Sequence, residues 1–451
     1  MGKLDDFESL PCDVLQYILS DVIDVVDIAS LDTAYCCCSK QPLLLEVVSN
    51  LQINRCTRVW LRYEKFLTLD EMLCESLIKR MGMRIRHVDF QRDDSVLQRD
   101  DSVHDNTNML HLIASYCKNL VKLCCESFSD LRCISDVLRE CPALSELHVT
   151  GTFEYFNPFA TNPKIVCCRN LALLNFEQVD VNEPVVHYIL ECAPNVRKLK
   201  IKVYKALYFN IPSLQNLQRL SIRGSSIRDQ ALIEITKRCS QIEHLDLSDC
   251  TNVTDEGIVV AMKNLQTLRS LSVEFISMSF STLRELVRCH STTLETFYAP
   301  FEIEEDHIDF LLRKCPVLHT LSLDIQLMNF EQIDGSLFHN VKKLILSGGM
   351  DSDVCDALEI LAPHCQKLEF LGLVLYDEYD SNDCEELDSM VAHCTRLHTL
   401  VFVESRKNDD IVVASAATKS EWNALRPNLK IQYYMYCEVR DHPLVFDIYD
   451  L

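Results

Sequence analysis

The sequence predicts an α/β solenoid, in which short parallel strands stack side by side and helices pack behind them. The first observation is a repeat. A trio of apolar residues, spaced apolar-x-x-apolar-x-apolar, recurs about every 25 residues. Anchored on the middle residue of each trio, the copies fall at Val88, Leu123, Leu147, Leu174, Leu199, Leu220, Leu245, Leu271, Phe297, Leu321, Leu344, Leu371 and Leu400. The second observation is a cysteine six residues before the anchor, at Cys117, Cys141, Cys168, Cys239, Cys315, Cys365 and Cys394. It falls where a helix would end and the chain turn into a strand, and it reads as a small buried hydrophobe. The third is the stretch 239–258, CSQIEHLDLSDCTNVTDEGI, which holds one whole unit. Leu245 and Leu247 have the period of two of a strand with one buried face. Asp255 then stands where a short polar side chain would cap a helix.

This unit resembles the leucine-rich repeat, L-x-x-L-x-L-x-x-N/C-x-L, with Cys250 in the N/C position. The TNVTDEGI run after it resembles the cysteine-containing subclass. The resemblance implies a right-handed solenoid, a horseshoe with parallel strands on the concave face and helices outside. One unit cannot bury its apolar face, but stacked units share a continuous core. That core grows along one axis, so 451 residues need not divide into several globular domains.

Composition narrows the function classes. A net charge of −23 opposes general binding to nucleic acid or anionic membrane, both of which need a basic field. With only 9 glycines, Gly-rich phosphate loops are not expected. No apolar run approaches the length of a membrane span. The N-terminus MGKLDDFESLPCDVL lacks the apolar region of a signal peptide. The 23 cysteines include no C-x-x-C pair, and the repeat accounts for many of them. A reducing compartment, cytoplasm or nucleus, is therefore expected, with no metal and no cofactor.

Residues 1–48 do not follow the repeat. Pro11 suits the first turn of a helix, and Val14, Leu15, Ile18 and Leu19 make an apolar helical stripe. By itself this stretch reads as an N-terminal helical cap for the solenoid. It also resembles an F-box, whose signature L-P-x-[E/D]-[V/L]-L-x-x-I-[L/F] is carried here by Leu10, Pro11, Asp13, Val14, Leu15, Ile18 and Leu19. The F-box resemblance implies docking on the adaptor Skp1 and entry into a cullin–RING ubiquitin ligase. Together the two resemblances are those of F-box/leucine-rich-repeat proteins.

Residues 49–84 read as a helical connector with one strand around Val59–Leu61, and about 13 repeats with a C-terminal cap fill 85–451. The tandem QRDDSVL/QRDDSVH between the first two anchors reads as an exposed acidic loop, as does Asp377–Glu386. Asp409–Leu425 reads as a helix and Leu429–Tyr434 as a last strand, with Tyr433, Tyr434 and Tyr436 covering the open end of the core.

Strand alternation turns the residues one before, one after and three after each anchor away from the core. Lys198, Lys200 and Lys202 hold these positions around Leu199, and Arg219, Ser221 and Arg223 around Leu220. His244 and Tyr298 hold them on later strands. Clustered Lys and Arg make charge-assisted bonds to carboxylate and phosphate, so an acidic or phosphorylated segment of a client protein is the expected ligand. A solvated face that relieves the protein's own negative field explains the same residues. Enzyme chemistry finds little support: there is no G-x-S-x-G, Walker loop or H-E-x-x-H, and nothing beside Cys355 or Cys384 supplies a base. The expectation is a non-catalytic adaptor, its F-box end holding Skp1 and its repeats presenting a client. The alternative is a leucine-rich-repeat interaction scaffold with no ligase role.

Overall fold

The computed structural model describes residues 58–62, 78–79, 83, 85–91, 107–125, 131–152, 167–180, 183–201, 214–224, 226–299, 303–326, 328–348, 354–375, 385–404, 422 and 424–435. The module expected over residues 1–48, with Leu10, Pro11, Val14, Leu15, Ile18 and Leu19, lies outside them. So do Lys202, Tyr436 and most of the QRDDSV duplication. The chain forms two compact units, Met1–Leu217 and Gln218–Leu451.

Among the described residues of the first unit, six parallel strands run in chain order: β1 (Arg58–Arg62), β2 (His87–Gln91), β3 (Lys122–Cys125), β4 (Glu146–Thr152), β5 (Leu173–Asp180) and β6 (Lys198–Ile201). Helices α1 (Thr107–Tyr116), α2 (Leu131–Glu140) and α3 (Glu183–Cys192) precede β3, β4 and β6. The strand expected around Val59–Leu61 pairs with β2, so the ladder already has a rung before Ile85, inside the expected connector. Val59, Val88, Leu123, Leu147, Leu174 and Leu199 stand side by side across the six strands.

The second unit continues the pattern with β7 (Arg219–Ser221), β8 (His244–Asp246), β9 (Ser270–Ser272), β10 (Thr296–Tyr298), β11 (Thr320–Asp324), β12 (Lys343–Gly348), β13 (Phe370–Leu375), β14 (Thr399–Glu404) and β15 (Lys430–Met435). Its helices are α4 (Asp229–Arg238), α5 (Asp255–Asn264), α6 (Phe280–His290), α7 (Glu305–Lys314), α8 (Cys355–Leu361) and α9 (Glu385–His393). Between β11 and β12 two 3-10 turns, Phe330–Gln332 and Gly335–Asn340, take the place of a helix. Every anchor from Leu220 to Leu400 lies in register with the next, and Ile431 of β15 extends the row.

The anchors are at most 2% exposed, and full burial of one leucine or valine is worth about 1.5–3 kcal/mol. The helices meet them with an i, i+3, i+4 stripe, as Leu232, Ile235 and Thr236 do on α4. The seven repeat cysteines are buried. Each of Cys117, Cys141, Cys239, Cys315, Cys365 and Cys394 donates its backbone N–H to the last turn of the preceding helix. Burial pushes the Cys117, Cys141, Cys315, Cys365 and Cys394 thiols up, to about 12 at Cys117, Cys141 and Cys394 and to about 11 at Cys315.

Two side-chain ladders hold neighbouring rungs together. In the first unit Asn119, Asn170 and Asn195 donate to the carbonyls of Met83, Pro142 and Arg169, at 2.6, 2.7 and 2.9 Å. In the second, acids at helix starts accept from the entry of the next helix. Asp229 takes the backbone N–H of Thr254 at 2.8 Å and also its hydroxyl. Asp255 takes Ser279 N–H at 3.1 Å, and Glu305 takes Asn329 N–H. The sequence predicts Asp255 as the cap of its own helix; the cap position is held by Thr254, and Asp255 instead accepts the N–H of Ser279, the cap residue of the next helix. Gly257 is needed at one such contact, because a Cβ there would come 2.2 Å from the Asp229 carboxylate.

Candidate functional site

The candidate site is the strand face turned away from the helices, which each unit builds separately. In the first unit β3–β5 carry a polar chain. Lys122 Nζ lies 3.4 Å from Glu146 Oε2, His148 Nε2 lies 3.8 Å from the same oxygen, and Asn175 Nδ2 lies 3.3 Å from His148 Nδ1. His148 first, and Lys122 beside it, hold the Glu146 carboxyl down to about 2, against the opposing effect of burial. On β6 Lys198 is exposed and Lys200 half-buried, so both basic side chains reach solvent.

In the second unit the face changes character along the ladder. On β7–β9 it is polar. Ser221 Oγ donates to Asp246 Oδ2 at 2.7 Å, and Ser248 N–H donates to Asp246 Oδ1 at 3.0 Å. The Ser248 and Ser272 hydroxyls bond at 2.6 Å. Arg219 and His244 are half-buried. Arg223 Nε donates to Asp249 Oδ2 at 3.2 Å, and its Nη2 lies 4.0 Å from Glu274 Oε2. Ser322 Oγ on β11 donates to Glu274 Oε1 at 3.3 Å. Arg223, expected to face a client, thus stands among the protein's own carboxylates.

From β10 onward buried apolar side chains enter the same positions, beside polar ones such as Thr320 and Ser322. Tyr298, expected on the client-binding face, is 4% exposed and packs with Ile345, Phe370, Val401 and Val403. Lys343 is buried too, its Nζ 4.9 Å from the centre of the Phe370 ring. Alternation placed these side chains opposite the helices, but the sheet is buried on both faces here. The sequence held the signal: β12–β14 read KLILSG, FLGLVL and TLVFVE, nearly continuous apolar runs of the kind a doubly covered sheet uses. Of the expected site residues, Lys198 is exposed and Lys200 half-buried in one unit, and Arg219, Arg223 and His244 are half-buried in the other, so all five keep some access to solvent.

Among the described residues no group of His, Cys, Asp and Glu is arranged to hold a metal ion, and no helix is long and apolar enough to cross a membrane. No protein-family model matches the chain. It is similar to the F-box/LRR-repeat protein 4 of Bos taurus, 27% identical over 204 residues, which cover 42% of this chain and 28% of that protein. It is also similar to the baculoviral IAP repeat-containing protein 1 of Homo sapiens, 22% identical over 286 residues, 56% of this chain and 20% of the other. The matched stretch is therefore under a third of the length of either relative. Among solved structures, Rad7 in the yeast Rad7–Elc1 complex superposes with a TM-score of 0.47 at 14% identity, covering 95% of this chain and 93% of that one. An internalin from Listeria monocytogenes gives 0.34 at 12% identity, covering 71% and 82%.

Proposed function

As a leucine-rich-repeat protein similar to the F-box/LRR proteins, this chain is, we propose, the client-recognition subunit of a Skp1–cullin–F-box ubiquitin ligase. The observation that carries the reading is the L-P-x-D-V-L-x-x-I-L run over residues 10–19, which precedes a ladder of leucine-rich rungs. In this reading Leu10, Pro11, Val14, Leu15, Ile18 and Leu19 form the apolar helical stripe that a Skp1-like adaptor covers. The chain itself does no chemistry. It holds a client near the loaded conjugating enzyme, which raises the effective concentration of client lysines at the reacting thioester.

The client would meet the strand faces. In the first unit Lys198 and Lys200, with Lys202 next in sequence, suit an acidic or phosphorylated segment, because ammonium groups make charge-assisted bonds to carboxylate and phosphate. In the second unit Arg219, Arg223 and His244 are half-buried on that face, and Arg223 is engaged by Asp249 and Glu274.

Co-expression with a Skp1-like adaptor tests the reading. The two chains are expected to co-purify, and Leu10→Ala/Pro11→Ala is expected to abolish this while leaving the thermal transition of the repeats in place. Failure of the unaltered chain to retain the adaptor removes the ligase role. For the client, affinity purification with ligase activity blocked should yield proteins whose capture falls in Lys198→Ala/Lys200→Ala. Undiminished capture removes that face from the mechanism.

A further inference from the structure

One edge of the second unit, where strands end and helices begin, carries aromatic rings that neither the core nor the local backbone explains. After β7, β8 and β9 the chain turns through a left-handed residue at the same place in each rung: Gly224 at φ 66°, Asp249 at φ 61° and Phe275 at φ 58°. Glycine and aspartate tolerate this conformation, whereas a bulky side chain is strained in it. Phe275 nevertheless stands there 43% exposed. Five residues on, Phe280 opens α6 and is 37% exposed. Its ring stacks on His307 with centroids 4.6 Å apart and planes 13° apart, and meets Phe310 edge-on at 5.4 Å.

The platform is held in place. Ser279 caps α6 by accepting from Thr282 N–H, and its own N–H is taken by Asp255. His307 Nδ1 accepts from the Glu304 backbone N–H at 3.3 Å in a capping box, which fixes the ring that Phe280 stacks on.

Charge decides what this edge can take. The strand-to-helix stretches 245–262, 270–283 and 296–312 contain no Lys or Arg, yet they carry Asp246, Asp249, Asp255, Glu256, Glu274, Glu304, Glu305 and Asp306. Glu256 and Asp306 are exposed, and the Glu304 side chain is 74% exposed. Of the cations of these rungs, Lys263, Arg288, Arg313 and Lys314 sit in the last turns of the helices, Arg284 lies exposed in the middle of α6, and Arg223 of the preceding rung is engaged by Asp249 and Glu274, which leaves Glu256, Glu304 and Asp306 as the exposed acids of this edge. This segregation follows the helix dipole, but the dipole gives no reason to expose two phenylalanines.

We propose that the edge around Phe275 and Phe280 docks a Lys/Arg-bearing segment of a partner protein. Guanidinium and ammonium groups are attracted to aromatic faces, and their aliphatic stems cover apolar surface. The surrounding carboxylates favour the cationic heads and repel an acidic chain. The inference is independent of the ligase reading, since it uses neither the N-terminal module nor the strand-face lysines.

The test uses the purified full chain and a short fluorescein-labelled peptide of alternating arginine and leucine, followed by anisotropy. The peptide is expected to bind, and the same peptide with glutamate for arginine is not. Phe275→Gly/Phe280→Ser should weaken binding about tenfold or more. Phe275→Gly alone should weaken it without lowering the melting temperature, because glycine relieves the left-handed backbone. Glu256→Gln/Asp306→Asn should also weaken it, and Asp356→Asn/Glu359→Gln, on α8, should not. No binding of the arginine peptide overturns the proposal. So does unchanged affinity in Phe275→Gly/Phe280→Ser, an equal loss in the α8 control, or equal binding of the glutamate peptide.

Discussion

Glu274 is the side chain where burial and charge oppose each other most directly. Its carboxylate is 14% exposed, with Arg223 at 4.0 Å and a Ser322 hydroxyl at 3.3 Å. Burial pushes its pKa up most, Arg223 pulls it down, and Asp246 and Asp249 add to the rise, leaving it near about 7 against an ordinary 4.5. Between those two values the folded chain keeps a proton that the unfolded chain has released. The stabilisation from that proton is complete below the ordinary carboxylate range and is lost as pH rises through about 7. Glu274→Gln, which mimics the protonated form, should melt close to the unaltered protein at pH 5 and above it at pH 8. A gap in melting temperature that fails to widen between the two counts against this account. Alternation put Glu274 on the strand face, but its burial depends on side chains two rungs away, which no single repeat contains.

At the scale of the element, the strands of the second unit differ in how many of their faces are covered. Val401 on β14 is fully buried although it points opposite to Leu400, its neighbour in the anchor row. Ser270 on β9, also on the face turned from the helices, is half-buried beside Thr296 and His244. Val401→Asn places an amide where apolar side chains surround it, which costs about 2 kcal/mol or more. That loss is of the same kind as Leu400→Ala, about 2–5 kcal/mol. Ser270→Asn should stay within about 0.5 kcal/mol. Urea unfolding of the three variants decides the matter, and a Val401→Asn midpoint equal to that of the unaltered protein would show that this face is open. The two-sided burial was readable in the near-continuous apolar strands, yet a search for strict alternation passes over it. The asparagine ladder was readable as well, since Asn119, Asn170 and Asn195 each stand four residues before an anchor. Its meaning depends on a carbonyl of the preceding rung, so spacing alone did not reveal it.

At the scale of the whole chain, the period near 25 residues placed every anchor from Val88 to Leu400 in one register within its unit, because a repeat that buries the same face each time has one way to stack. The candidate site was less legible. Strand alternation tells which way a side chain points but not what lies over it, so Lys198 kept its solvent access while Tyr298 did not. Nearest-neighbour stacking also fixes how damage should spread. Leu271, fully buried in β9, contacts the rungs before and after it, and Leu271→Ala removes about 2–5 kcal/mol from that place. Burial holds the Cys315 and Cys394 thiols in their unreactive, protonated form, and Cys239 is equally inaccessible at 0% exposure. In Leu271→Ala, pulsed alkylation read by mass spectrometry should therefore modify Cys239 and Cys315 well before Cys394, which lies several rungs further along the same unit. Simultaneous modification of all three would mean that the second unit opens as one cooperative body and that its rungs do not act as neighbours alone.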